Sequence, residues 1–381
     1  MIPFASPLFF GLLLYVLVPV IALGVAGQLR GKWILLFSLS AAAVQLAIAG
    51  ELARAAAYFA FELAVIAAFH ALRRRQVPRI VWVAVLASLA PLVLVRLTGA
   101  NTLASRFAFL GVSYVTFRVL DVLLGIQDGL IVELDASELL AYLFFFPTLT
   151  SGPVDRFRRF ASDFRRAPSR AQYLDLLESA VPLMMRGLFF KFLVSALVKE
   201  RLLDPLTDQH GPLATLEYMY VYTAFLFFDF AGYSAMAMAI SRVLGIETPR
   251  NFDRPFIASN IVEFWTRWHI SLSFWFRDHV YMRFVLAAKR GRWFADRYLA
   301  SYLGLILSFG LMGAWHGFAW HFVLYGLYHA GLQIGHGVFV RWNAERHVWG
   351  DGPAWRVAGM VATLHAFAFG LLIFSGRLLA R

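Results

Sequence analysis

The chain has 381 residues, 60% of them hydrophobic and 15% charged, with a formal net charge of +12 and no cysteine. Mean hydropathy is +0.66, more apolar surface than a soluble domain of this length needs, which excludes an ordinary soluble class. The missing thiols exclude a disulfide framework, a cysteine nucleophile and a Cys-ligated metal; a covalent acyl intermediate would need Ser, Thr or Tyr.

Taken in chain order, apolar runs fall at about 7–27, 33–49, 53–72, 79–97, 104–125, 138–150, 175–198, 214–245, 299–314, 318–340 and 356–376. Several carry close to the ~20 apolar residues that a helix needs to cross hydrocarbon. The short alternating segments of a transmembrane barrel are missing from the pattern. The expectation is an all-α polytopic membrane protein of roughly eleven transmembrane helices, one membrane domain over 1–381, with some runs re-entrant. The first run lacks a basic flank and a small-residue cleavage site, so it reads as a retained span. The stretches "LRGK" (29–32), "RRRQVPR" (73–79), "DRFRRFASDFRRAPSR" (155–170) and "KRGRWFADR" (289–297) are basic, whereas "AGE" (49–51) and "TGAN" (98–101) are not. The positive-inside rule then puts the basic loops in the cytoplasm and the amino terminus outside.

Three stretches do not fit simple spans. In "FFFPTLTSGPVDRFRRF" (144–160), two prolines and a glycine stop a helix next to Thr148, Thr150 and Ser151, giving a polar kink just under the cytoplasmic surface. Residues 214–245 are too long for one crossing of ~30 Å. They hold Asp229, costly in lipid unless buried against a partner or facing water, and Gly232, a candidate break. Residues 262–276 are an aromatic run of about 22 Å if helical, short of a crossing, and read as a re-entrant or interfacial helix. That run holds Glu263 and Arg267 at helical-pair spacing, Trp265, Trp268, His269, Ser271, Ser273 and Trp275, with Arg277 just beyond.

Imidazole is the side chain best matched to proton transfer near neutral pH. Of the ten histidines, His269 stands in the short aromatic run and His316 in "LMGAWHGFAWHF" (311–322), between two apolar runs beside Trp315. His316 reads either as a turn residue or as a residue lining a cavity at a break in depth. His321 and His329 read as packing residues around Tyr325, His365 as a packing or cavity residue, and no carboxylate or cysteine nearby completes a metal site with them.

Several stretches together resemble the membrane-bound O-acyltransferase (MBOAT) family, and within it the D-alanyl transfer proteins of the DltB type. They are "FLGVSYVTFRVLDVLLGIQDG" (109–129), "FFFPTLTSGPVDRFRRF", "FFDFAGYSAMAMAISRVLGI" (227–246), "NFDRPF" (251–256), "FWTRWHISLSFWFRDHVYMRF" and "MGAWHGFAWHFVLYGLYHA" (312–330). The resemblance covers most of 109–330. It implies the MBOAT fold, helices around a thin central floor, and an acyl group moved across the bilayer. The donor would be D-alanine on the 4'-phosphopantetheine arm of an acidic carrier protein docking from the cytoplasm. The acceptor would be a hydroxyl of a cell-envelope molecule or of an extracytoplasmic partner, as in teichoic-acid D-alanylation. No cofactor or metal is implied.

By the same resemblance, His316 and His269, 47 positions apart, match the family's two key histidines. His316 is expected as general base and His269 as its partner. Asp229, Ser271, Ser273, Trp268, Trp315, Thr148, Ser151 and Arg277 are candidates for the channel or substrate site, and Arg156, Arg158, Arg159, Lys289, Arg290 and Arg292 for carrier docking. Thr266 stands where many relatives carry Asn or Arg, a departure that weakens a role for that side chain but not for His269. Three alternatives stay open: an O-acetyltransferase for a secreted polysaccharide such as alginate, a transporter or flippase using the same broken helices, and a scaffold that only recruits a carrier.

Overall fold

The computed structural model describes residues 7–73, 79–98 and 109–379. Most of the basic stretch 73–79, most of "TGAN" and the start of the 104–125 run lie outside the described residues. The described residues are helical apart from loops and one isolated antiparallel bridge, Phe252 with Trp268. Seven of their helices are long and apolar enough to cross a membrane. The protein is all-α and polytopic. It divides into two compact units, residues 1–187 with 233–249 and residues 188–232 with 250–381.

The first unit contains α1 (Pro7–Val25), α2 (Gly31–Ile48), α3 (Leu52–Leu72), α4 (Ile80–Thr98), α5 (Val112–Gln127), α6 (Ala136–Leu143) and α7 (Phe157–Arg165). Its centre is α5, buried without interruption from Val115 to Ile126. Two charges sit inside that apolar helix, and each satisfies the end of another helix. Arg118 is 2% exposed and donates to the carbonyls of Tyr142 (2.8 Å), Leu143 (2.9 Å) and Phe145, and to Thr148 Oγ1 (2.5 Å). The first two carbonyls belong to the end of α6, whose last acceptors have no partner within the helix, and Phe145 lies just beyond it. Asp121 accepts from the Phe157 N–H at the start of α7 (2.8 Å), where the dipole favours a carboxylate, and from Arg156 (2.9 Å). Asp135 caps the other end of α6. Hydrogen bonds from the Ser137 hydroxyl and from backbone N–H groups hold its carboxyl below the usual range, so that cap weakens only in acid.

The run 138–150 is therefore not a crossing. The helix of Ala136–Leu143 stops, and a single tight turn, Phe146–Thr148, leads into the polar kink, because Pro147 has no N–H to continue the ladder and Arg118 takes up the freed carbonyls. Amphipathic α7 follows. Phe157, Phe160, Ala161 and Phe164 face inward while Arg158 and Arg165 are exposed.

Two long helices contribute to both units: α8 (Arg170–Thr207), with π-helical turns at Phe189–Ser195 and Lys199–Leu203, and α9 (Pro212–Val243). α9 corrects the expected break, since its 32 residues continue through Gly232. One helical glycine costs only about 1 kcal/mol, which packing on both sides of it absorbs.

The second unit adds α10 (Ile261–Trp265), α11 (Ile270–Phe276), α12 (Met282–Gly291), α13 (Leu299–His316), α14 (Trp320–Arg346) and α15 (Pro353–Phe374). α13 and α14 pack closest at two glycines. A Cβ on Gly313 would strike the Phe322 carbonyl, and one on Gly326 the Phe309 carbonyl. Small residues give membrane helices this close backbone approach.

Replacing Arg118 by Met would strand several buried carbonyls, at about 1–3 kcal/mol each. Arg118→Met is expected to lower the thermal midpoint of the detergent-solubilised protein by many degrees. A midpoint equal to wild type would show that α6 and the kink do not depend on this guanidinium.

Candidate active site

The aromatic run 262–276 is not one helix. α10 ends at Trp265, and α11 starts at Ile270. Between them His269 adopts φ 44° and ψ 48°, the left-handed region in which a non-glycine residue is uncommon. The expected single re-entrant helix is thus two short helices, with the histidine at the break.

Local hydrogen bonds fix that break. Asn260 caps α10 by accepting from the Glu263 N–H (2.8 Å), and the Glu263 carboxylate accepts from the N–H of Ser259, the residue before the cap (2.8 Å). Glu263 also pairs with Arg267 at 2.8 Å, as their spacing predicts. The segment of "NFDRPF" then runs beside residues 267–270. The Asp253 N–H donates to the Arg267 carbonyl (3.0 Å), and the Ile270 N–H to the Asn251 carbonyl (2.9 Å). The Ser271 hydroxyl donates to Asn251 Oδ1 at 2.6 Å. A two-bond ladder therefore grips the backbone on both sides of His269.

His269 is 6% exposed, and its ring lies 4.7 Å from that of Phe230 on α9, centre to centre. Phe230 packs on Phe252 (5.2 Å), Phe252 on Trp268 (5.0 Å), and Trp268 on Phe367 of α15 (4.6 Å). His316 is the last residue of α13, partly buried, and not a turn residue at the surface. Its ring lies against Trp315 (4.6 Å), Phe374 (4.9 Å) and Tyr325 (6.4 Å). Tyr325 touches His329 (4.7 Å), which packs against Phe367 (5.8 Å). One aromatic wall within the second unit thus joins His269 to His316.

The other expected residues distribute as follows. Trp268, Trp315 and Ser271 belong to this wall or to its ladder. Ser273 donates to the Trp268 carbonyl (3.2 Å) at the start of α11. Asp229 is held by Lys191 at 2.5 Å, on a π-helical turn of α8, the kind of irregularity that marks functional helices. Arg277 is exposed, bonded to Asp278 and lying over the Phe274 ring. Thr148 and Ser151 lie in the first unit. There Thr148 accepts from Arg118, and the Ser151 N–H donates to the Tyr233 hydroxyl (3.2 Å). Of the basic candidates, Arg156 pairs with Asp121, and Arg159 with Asp155 and Asp163, while Arg158, Lys289, Arg290 and Arg292 are exposed. Among the described residues no group of three His, Cys, Asp or Glu side chains is placed to hold a metal. His365, expected as a packing or cavity residue, packs its ring edge-on against Tyr220 at 5.5 Å, while the residue is exposed and bonds the Val361 carbonyl of its own helix.

Sequence reasoning assigned no role to Asn251, Phe230 or Arg118, and named Tyr325 only as the residue between His321 and His329. Arg118 carried a signal, as a guanidinium in an otherwise apolar run. Asn251 carried none by itself, since its role depends on contacts with Ile270 and Ser271, the latter 20 positions away.

The model of the membrane-bound O-acyltransferase family matches residues 84–374, and the chain belongs to that family. It is an O-acyltransferase of the membrane. The teichoic acid D-alanyltransferase of Bacillus subtilis (strain 168) is 37% identical over 99% of this chain and 98% of its own length. The enzyme of the same name from Streptococcus thermophilus is 41% identical over 75% of this chain and 73% of its own. The probable alginate O-acetylase AlgI of Azotobacter vinelandii is 34% identical over 58% of this chain and 42% of its own length.

The left-handed backbone at His269 discriminates between replacements. Asn adopts that conformation readily, whereas a β-branched residue does so at a cost of about 1–2 kcal/mol. His269→Asn is expected to unfold within a few degrees of wild type and His269→Val clearly lower, as read by thermal melts in detergent. Equal midpoints for the two would contradict the geometry at this break.

Proposed function

We propose that this enzyme transfers D-alanine from the phosphopantetheine thioester of an acidic carrier protein to a hydroxyl of a cell-envelope acceptor. The observation that carries the reading is the pair of imidazoles, His269 and His316, joined by one buried aromatic wall, in a chain similar over its whole length to a teichoic acid D-alanyltransferase. The amino terminus would lie outside and the basic loops in the cytoplasm of the cell that makes it. Exposed Arg158, Lys289, Arg290 and Arg292 fit an acidic carrier better than Arg156 and Arg159, whose charges are already paired.

In this mechanism His316 accepts the proton of the acceptor hydroxyl as its oxygen attacks the thioester carbonyl. The tetrahedral intermediate collapses, the C–S bond breaks, and the thiolate leaves with the proton from His316. The products are a D-alanyl ester and the free carrier thiol. His269 faces the same carbonyl as a hydrogen-bond donor, held by the ladder from Asn251. Positioning both substrates in one site adds to base catalysis, itself worth ~10²–10⁴-fold. Trp268 and Trp315 wall the site, with Ser271, Ser273, Asp229, Arg277, Thr148 and Ser151 as further candidates for contact with the arm or acceptor.

A second reading, O-acetyl transfer to a secreted polysaccharide, is favoured by the alginate O-acetylase match, which covers a smaller share of the chain. Vesicles holding the purified enzyme and an envelope acceptor extract distinguish the two when given carrier loaded with labelled D-alanine or with acetyl. Loss of D-alanine alone from the carrier, slowed ~10²-fold or more by His316→Ala in a folded protein, is the expected result. Consumption of acetyl instead would transfer the assignment to the second reading.

A further inference from the structure

We propose that His329 is a positioning residue for His316, acting through Tyr325. The inference deepens the functional reading above and rests on it for the role of His316.

His329 is wholly buried, and neither ring nitrogen makes a hydrogen bond within the protein. The indole Nε1 of Trp265, on the neighbouring helix α10, is likewise buried without a bond, with the two rings 5.1 Å apart and nearly perpendicular. An unsatisfied buried polar group costs about 1–3 kcal/mol, and the surrounding cage would accept a phenylalanine without that cost. α15 also gives way to the imidazole: Gly370 stands where any Cβ would strike His329 Nε2. The fold thus keeps an imidazole at a place where stability favours a hydrocarbon ring. A residue kept against stability points to use at a functional site.

The helix crossing indicates what it is used for. Gly313 and Gly326 bring α13 and α14 together, with His316 one turn beyond the first glycine and Tyr325 beside the second. His329 lies one turn beyond Gly326 on α14, so its ring backs Tyr325 at 4.7 Å while Tyr325 faces His316 at 6.4 Å. The titratable groups facing His329 are Tyr325 and Tyr328 of its own helix. Among the described residues, α10, α13 and α15 present Trp265, Phe309, Phe367 and Gly370 to it. Tyr325 is the ring that meets both His316 and His329, so a change at His329 reaches the proton-accepting imidazole through it. A fixed Tyr325 sets the place of His316 and the ease with which it holds a proton.

A double-mutant cycle tests this on whichever acyl group the wild-type enzyme transfers, so that an error in the donor leaves the test intact. His329→Phe is expected to keep or raise the thermal midpoint, to leave KM for the carrier unchanged, and to lower kcat about tenfold, the lower part of the range for acid–base assistance. It is also expected to displace the pH–rate profile. Adding Tyr325→Phe should cost little more than Tyr325→Phe alone, because both act along one route. Should His329→Phe fail to fold, His329→Gln, which cannot hold an imidazolium charge, is expected to show the same fall in kcat and the same displaced profile. Wild-type kcat and pH profile in a folded His329 variant would overturn the proposal. So would multiplicative losses in the double mutant, or a fall in kcat accompanied by an equal loss of folded protein. If His316→Ala is as fast as wild type, the functional reading fails first, and this inference fails with it.

Discussion

Two main-chain hydrogen bonds hold the conformation on which the site depends. The Ile270 N–H to the Asn251 carbonyl and the Asp253 N–H to the Arg267 carbonyl clamp the chain on either side of His269. A histidine in left-handed backbone is unfavourable by itself, and a break between two helices frees N–H and C=O groups. In water, solvent would satisfy those groups. In a low-dielectric interior each must find a protein partner, so the break exists only because a second segment lies alongside it. The clamp places the imidazole at the start of α11, against Phe230, and keeps it from turning away.

The same rule organises the first unit. α6 ends in a buried proline turn, and its last carbonyls are collected by the guanidinium of Arg118, while Asp121 on the same helix as Arg118 satisfies the start of α7. A single buried helix, α5, therefore supplies both the donor and the acceptor that end its neighbours. Irregular backbone inside this protein occurs next to a charged or polar group that answers it. The ion pair of Lys191 and Asp229, on the π-helical part of α8 and on α9, is another instance.

The wall between His269 and His316 is built almost wholly of rings. Aromatic side chains fill space with few rotatable bonds, and their edge-to-face contacts fix relative orientation as well as distance. An acyltransferase that brings two large substrates to one point benefits from such stiffness, because misplacement by an ångström is costly for the rate. His329 is the exception in this wall, a polar ring in an apolar cage, and it lies behind the residue that faces His316.

Composition and hydropathy determined that this is an all-α membrane protein, since a helix satisfies its backbone within one apolar run of ~20 residues whereas a barrel would show short alternating segments, and the apolar runs mark most of the spans. The histidines at 269 and 316 were legible as candidates, because an ionisable group in an aromatic or apolar run has no cheap reason to be there. Tertiary structure alone decided that run 262–276 is broken at His269, that α9 is continuous through Gly232, and that Arg156 and Arg159 are paired while Lys289, Arg290 and Arg292 are exposed. It also decided the roles of Asn251, Arg118 and Tyr325. The physical reason is common to all of these: each depends on a partner distant in sequence, which supplies a hydrogen bond, a countercharge or a packed ring, and periodicity along one chain carries no record of which partner that is.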